Sequence, residues 1–415
     1  MNITSLLGAI SAPNDLWNNL ITWFQGNVGN IGWAILILTI LVKLVTSPLD
    51  FFVKYSTKKQ TLVQQKCAPQ VAKLQKKFGS DQQTLRIQTN ALYKREGLNM
   101  GASCIVMLIN MVLTCAIFFS FYSSLRTISA YQTINQYEMT YEAYETTFTN
   151  YVYETKLEED NTFTIERAVE LIENYETSYS YVNNPENEIN DPQYNSNYAL
   201  HQLVVTSNKE LMEDATKTAA DAALKTWNDN KSSWLWIQNI WVADAPTYPF
   251  PNFDSLKSSA SEAGSYYSNY VNENISQNEY TIIANFINSN ASSYNGYYIL
   301  AALAGIITFL SQYISDLHNK LKNKKANTLA SATNTQATGS MKVMKIILPI
   351  IMIMFVLSSS ASFGIYLLAS NVASIALGEI INLLVNKFTK RKRLEVEEFL
   401  EKEADRLIKK GKLQG

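Results

Sequence analysis

Long apolar runs alternate with strongly polar stretches along this chain, and the runs have the length of membrane-crossing helices. Crossing a bilayer of about 30 Å at 1.5 Å per residue takes about 20 residues. Five runs fit: 31–49, 101–122, 295–315, 343–359 and 362–385. The fourth is short and holds Pro349, which predicts a kink, and the fifth carries Glu379 toward its end.

The first run is not uniformly apolar. Thr39, Lys43, Thr46, Ser47 and Asp50 recur at steps of three and four, which places them on one helix face. A lysine deep in a bilayer costs roughly 3 kcal/mol on insertion scales. Lys43 lies about 18 Å from the outer edge of its run at 1.5 Å per residue, so its long stem could snorkel to the cytoplasmic headgroups. Two features favour a wet groove instead. Thr39 carries the stripe deeper than snorkelling needs, and spans one to four are read as offering no acid to pair with Lys43. Glu379 is a partner only if the fifth helix sets it at that depth.

Other runs have polar faces too: Ser103, Asn110 and Thr114 in the second, Thr308, Ser311, Gln312 and Ser315 in the third, and Ser370, Asn371, Ser374 and Gly378 in the fifth. These could line a shared groove. Most of the Ser and Thr fit equally well as bridges between helices, each worth about 0.6 kcal/mol.

Charge then sets an orientation. Residues 51–99 hold ten Lys or Arg against two acids, residues 387–415 hold ten bases, and residues 127–294 hold 24 acids against seven bases. Positive loops stay in the cytoplasm. The expected order is an outer amphipathic segment (1–30), a first span (31–50), a cytoplasmic hairpin (51–99) and a second span (101–125). An outer domain (126–294) follows, then spans at 295–315, 343–359 and 362–385, a cytoplasmic loop (316–342) and a basic tail (386–415). The fold class is therefore all-α: a polytopic membrane protein with five transmembrane helices, a cytoplasmic helical hairpin and a mainly helical extracytoplasmic insertion domain.

Within this plan, residues 14–25 predict an amphipathic surface helix capped by Asn14. The first 30 residues lack the pattern of a removable signal. The hairpin turns at Gly79, Ser80 and Asp81, with thin apolar stripes at Val71, Leu74 and Phe78 and at Leu85, Leu92 and Tyr93. Its bases, Lys58, Lys59, Lys66, Lys73, Lys76 and Lys77, suit lipid headgroups, ribosomal RNA or a nascent chain; they equally suit a role in orientation alone. Tyrosines at helical spacing from 131 to 151 predict that the second membrane helix continues into the outer domain, with further helices over 164–176, 197–228 and 255–290 and a loop at 183–197. The tail is a charged helix or a disordered segment. Cys67, Cys104 and Cys115 all fall outside the outer domain, which must hold itself by packing rather than disulfides.

Enzyme chemistry finds little support. The two histidines, His201 and His318, fall on opposite sides of the expected membrane, and neither metal-ligand spacing nor a phosphate-cradling loop occurs. No enzymatic activity, metal or cofactor is expected.

The stretches AILILTILVKLVTSPLDFFVKYSTKK and APQVAKLQKKFGSDQQTLRIQTNALYKREGLN resemble the YidC/Oxa membrane protein insertases. LYKREGLNM (92–100) is similar to the family's hairpin signature, with Met100 where proline is usual, and Asn110 matches a Gln position. WLWIQNIWVADAP (234–246) is similar to an external motif, and Ile365, Tyr366, Leu367 and Asn371 to a Leu-Tyr-Trp-x-x-x-Asn pattern, with Leu367 in place of the aromatic. The resemblance covers 31–125, 234–256 and 297–388 and implies a five-helix core in which Lys43 stands where Arg is usual.

It further implies a bacterial plasma membrane protein, N terminus outside and C terminus cytoplasmic, that admits nascent membrane proteins into the lipid bilayer. The expected groove residues are Lys43, Thr39, Thr46, Ser47, Asn110, Thr114, Gln312 and Asn371. The ribosome and the general secretion translocon are further expected partners, and DNA is not. A small-solute transporter and a multi-span surface receptor or adhesin are the alternative classes.

Overall fold

Apolar and amphipathic periodicity along the chain gives helices throughout. The computed structural model describes residues 10–98, 100–187, 193–323 and 338–409, and among them the regular elements are α-helices, with one isolated bridge between Trp234 and Ile237. In chain order these are α1 (Leu16–Val28), α2 (Ile31–Phe78), α3 (Gln82–Arg95), α4 (Met100–Glu159), α5 (Ile165–Asn183), α6 (Tyr194–Asn230), α7 (Phe253–Ala263), α8 (Ser265–Asn274), α9 (Gln277–Ser289), α10 (Ile299–Asn323), α11 (Thr338–Leu357), α12 (Ala361–Phe388) and α13 (Lys390–Lys409). Helices Ile31–Phe78, Ile105–Glu159 and Ala361–Phe388 are long and apolar enough to cross a membrane, and Ile299–Ile314 and Ile347–Leu357 are shorter apolar stretches.

The chain divides into two units. One comprises Asp15–Leu125, Ala243–Ala245 and Tyr297–Gly415. Its first helix, α1, is capped by Asp15, not by Asn14: the Asp15 carboxylate accepts from Trp17 N at 2.9 Å and Asn18 N at 3.1 Å. Either residue type caps well; Asp15 is the one that also holds Ser124 Oγ, at 2.8 Å. α1 packs on α2 through buried Ile21.

α2 is one helix of 48 residues, about 70 Å at 1.5 Å per residue. It runs through Pro48 and Pro69 and joins the first apolar run to the first hairpin arm without a break. Along it packs α12, whose first half is buried from Ala361 to Ala369 apart from a half-exposed Leu368. Leu367 brings no ring to this helix, yet aromatic packing is dense. The Phe121 and Tyr366 ring centroids lie 4.5 Å apart, those of Tyr122 and Phe363 4.6 Å, and Trp17 meets Phe121 edge-on at 5.0 Å.

The hairpin seam lies nearer the membrane run than the sequence stripes suggest. Val63, Cys67 and Leu98 are its buried centre, with Val71, Leu92 and Tyr93 against them. The end of α3 explains this. Leu98 N donates to Tyr93 O at 2.9 Å and Gly97 N to Lys94 O at 3.0 Å, with Gly97 at φ +77°. This is a Schellman turn, which needs a left-handed residue and brings the following apolar side chain back onto the helix. The tail is also ordered through α13, which packs on α2, buries Val396 and sets Glu403 3.2 Å from Lys73.

Ala243–Ala245 belongs to this unit through one buried carboxylate. Asp244 accepts from Tyr297 N at 2.9 Å and Leu300 N at 2.6 Å, satisfying free donors at the start of α10.

The other unit comprises Met1–Asn14, Arg126–Val242 and Pro246–Gly296. Its main core gathers Ile134, Tyr137, Trp227, Phe250, Leu256, Tyr280 and Ile283; a second cluster forms around Val152, Ala168, Met212 and Ala215. Between α6 and α7 the chain is irregular, and amide side chains replace helical hydrogen bonds there. Asn239 is fully buried: Nδ2 donates to Gln136 Oε1 at 3.0 Å and Pro249 O at 3.2 Å, and Asn295 Oδ1 accepts from Asn239 N at 2.7 Å. Tyrosine hydroxyls reach carboxylates, Tyr141 to Glu145 at 2.7 Å and Tyr270 to Glu138. Burial raises the pKa of both glutamates above the ordinary carboxylate range.

Two predictions follow from these contacts. Asp244→Ala should destabilise the full-length protein in detergent by about 1–2 kcal/mol, the upper end of cap losses, read as a lower thermal midpoint. The second concerns pH. Groups whose native pKa is raised bind protons more tightly folded than unfolded, so stability falls as pH rises through their titration. The lowered carboxylates, Asp81, Asp160, Glu166, Glu398 and Glu403, contribute fully above pH about 5 and do not oppose this. The midpoint should therefore drop by about 2–4 °C from pH 5 to pH 8, and Glu138→Gln with Glu145→Gln should flatten that slope.

Candidate functional site

The polar stripe of α2 consists of side chains that an apolar helix carries at unequal cost. Thr39 is buried and its hydroxyl donates to Ile35 O at 2.7 Å; Thr46 reaches Val42 O at 3.1 Å and Lys43 O at 3.2 Å; Ser47 reaches Leu44 O at 2.8 Å. These hydroxyls are satisfied by their own helix, which leaves oxygen lone pairs on the stripe. Lys43 is half-buried and makes no hydrogen bond or ion pair among the described residues. The flanking positions Leu41, Leu44 and Val45 are exposed, Val45 at 80 %.

Asp50 lies two turns from Lys43 along the same stripe. Asp50 also joins two helices: Asn110 Nδ2 on α4 donates to Asp50 Oδ1 at 3.3 Å. One helical turn further along α2, the Lys54 ammonium donates to Gly378 O of α12 at 3.0 Å. An amide in the middle of an apolar run was the signal for the first contact. Nothing in the sequence marked the second.

On α10 and α12, Asn371 Nδ2 donates to Thr308 Oγ1 at 3.5 Å, and Thr308 back-bonds to Ala304 O at 2.7 Å. Gln312 is half-buried, and its Nε2 and Oε1 have no hydrogen-bond partner among the described residues. Thr114 is exposed. The structure thus brings Asp50 to Asn110 and Asn371 to Thr308. It forms no hydrogen bond from Lys43 to Asn110, Thr114, Gln312 or Asn371 among the described residues. Ser103 and Ser315 have side chains outside the described residues, as does His318. No group of three His, Cys, Asp or Glu residues close enough to hold a metal occurs among the described residues.

The basic residues of α2 divide into two sets. Lys66 pairs with Glu96 at 2.6 Å and Lys73 with Glu403 at 3.2 Å, so these two hold α3 and α13 against α2. Exposed pairs of this kind are worth about 0–1 kcal/mol each. Lys59, Lys76 and Lys77 are exposed, and Lys58 is half-buried with a partner of its own. Lys392 of α13 adds to the cluster; burial and the neighbouring charges of Lys59 and Lys66 lower its pKa. Such crowding of like charge favours an anionic partner.

Comparison with known proteins gives this stripe a context. The family model described as 60Kd inner membrane protein matches residues 23–207. The chain is similar to proteins named membrane protein insertase YidC: that of Marinobacter nauticus is 33 % identical over 108 residues, covering 26 % of this chain and 18 % of the relative. That of Chlorobium limicola is 33 % identical over 105 residues (25 % and 17 %), and that of Wolinella succinogenes 31 % over 106 (26 % and 19 %). The chain thus spans less than a fifth of the length of these curated relatives. No solved structure matches.

Proposed function

We propose that this chain, similar to the YidC/Oxa-type insertases over part of its length, inserts nascent membrane proteins into a lipid bilayer. The observation that supports this best is the stripe itself: Lys43 and Asp50 on a helix that also exposes the apolar side chains of Leu41, Leu44 and Val45. In this reading the chain crosses the membrane five times, at 31–50, 101–125, 295–315, 343–359 and 362–385, with the N terminus and the 126–294 domain outside. The C terminus, the hairpin and the Lys/Arg-rich α13 lie in the cytoplasm.

A substrate segment enters from the cytoplasm past Lys58, Lys59, Lys76 and Lys77. Its polar flank takes the groove formed by Thr39, Lys43, Thr46, Ser47, Asn110, Thr114, Gln312 and Asn371, while its apolar part moves into lipid. The chemistry is solvation. A fixed positive charge and amide donors replace part of the water a crossing carboxylate loses, which lowers a barrier otherwise set by desolvation. Partitioning of the substrate's own apolar residues supplies the driving force at roughly 25 cal/mol per Å². A ribosome at the basic hairpin and tail, and a general secretion translocon alongside, are partners consistent with this route.

An attraction between Lys43 and a substrate carboxylate about 10 Å away, at an effective dielectric near 20, is worth about 1.5 kcal/mol, roughly tenfold in rate. Lys43→Ala as sole copy should therefore slow insertion of substrates with acidic translocated tails by about that factor, and Lys43→Arg should retain activity. Unchanged insertion by Lys43→Ala at normal expression would refute the role of the charge.

A further inference from the structure

The unit built around α5–α9 contains a donor-rich cavity that the insertase reading leaves unused. It has a volume of about 110 Å³ and lies between the end of α6 and the end of α9. Leu224, Trp227, Pro249 and Ile287 give it an apolar wall. Lys231, Asn228, Gln238, Asn290 and Ser293 supply polar atoms opposite.

Two features show what chemistry is unmatched there. The Trp227 side chain is 3 % exposed, and its indole Nε1 is buried without a hydrogen-bond partner among the described residues. A buried N–H left unpaired costs about 1–3 kcal/mol, so an acceptor brought to it gains what that desolvation loses. Lys231 is the second. Its ammonium sits 4.9 Å from the centre of the Trp227 ring and donates to Asn228 Oδ1 at 2.9 Å and Gln238 Oε1 at 3.3 Å. Both partners are neutral, and no carboxylate pairs with Lys231 among the described residues. An ammonium has three donors, and these two hydrogen bonds use two of them. The two amide oxygens are already engaged by Lys231, which leaves mostly donors facing a ligand.

We propose that this cavity binds a carboxylate carried on a short apolar stem. The carboxylate would accept from Lys231 Nζ and Trp227 Nε1, and the stem would lie against Leu224, Pro249 and Ile287. A monoanion is favoured over a phosphate dianion by the setting, because Lys231 is one of seven bases among 24 acids between residues 127 and 294. The volume is below the 300–1,000 Å³ of sites for drug-sized molecules and suits a group of a few non-hydrogen atoms. Burial lowers the pKa of Lys231, and a bound carboxylate would offset that by favouring the charged ammonium. The same chemistry is offered by a free small carboxylate and by the C-terminal carboxylate of a peptide.

Calorimetric titration of the full-length protein in detergent separates the sources. The probes are isobutyrate, an acetylated tripeptide ending in leucine with a free carboxylate, and the uncharged amide of each. Binding of either carboxylate, without binding of its amide, is expected; isobutyrate alone points to a free metabolite and the peptide alone to a chain terminus. Lys231→Met and Trp227→Phe should each weaken binding by about tenfold or more. Their unliganded thermal midpoints report whether each variant folds. Absence of binding by both carboxylates at millimolar concentration, equal binding of the amides, or undiminished binding by a folded Lys231→Met protein would overturn the assignment.

Discussion

Charged side chains within an otherwise apolar helical run are the constraint around which this part of the chain is organised. Lys43 and Asp50 lie two turns apart on one face of α2. Neither could face lipid at the cost of about 3 kcal/mol each without some compensating arrangement. The compensation is built from neighbours. Asn110 reaches Asp50, Lys54 reaches a carbonyl of α12, and the hydroxyls of Thr39, Thr46 and Ser47 fold back onto α2. α12 packs along α2 and α10 along α12, and one polar pair, Asn371 with Thr308, joins the last two. The result is a polar stripe, carrying Lys43 and Asp50, set into an apolar assembly.

Outside the apolar runs, order comes from a few local devices. Gly97 in the left-handed region turns Leu98 onto the hairpin seam, so the glycine of the LYKREGLN stretch has a backbone reason. Asp244 in the 234–246 stretch does equivalent work for α10 by binding two backbone N–H groups, and Asn239 in the same stretch ties its own irregular segment together. Residues recognised first as motif letters are thus backbone-satisfying groups, where substitution acts on stability before it acts on any substrate.

Much of this was legible in the sequence, for a physical reason: apolar runs and helical periodicity are local, and they sufficed for an all-helical chain with apolar membrane-length helices. What was less legible depended on three-dimensional partners. Asp15 and Asn14 are equivalent as capping chemistry, and only the position of Ser124 and the helix start separates them. The hairpin seam was displaced because the periodic stripe cannot show that a turn returns Leu98. Asp50 was legible as a member of the Lys43 stripe, but its contact with Asn110 was not. The Lys54 contact with a mid-helix carbonyl, the Gln312 amide, unpartnered among the described residues, and the Lys231–Trp227 cavity carry no sequence signature, because each is defined by what surrounds it.

The central claim is that the charged stripe of α2, and not its lipid-facing side, receives the polar part of a substrate. Photo-crosslinking from adjacent positions on α2 tests it most directly. A photoreactive residue is placed at Thr46, on the stripe, or at Val45, on the exposed apolar face, and the protein is presented with a stalled nascent membrane protein bearing an acidic tail. The account predicts crosslinks to the acidic tail from position 46 and not from position 45. Tail crosslinks from position 45 alone, or from neither position while insertion proceeds, would contradict it.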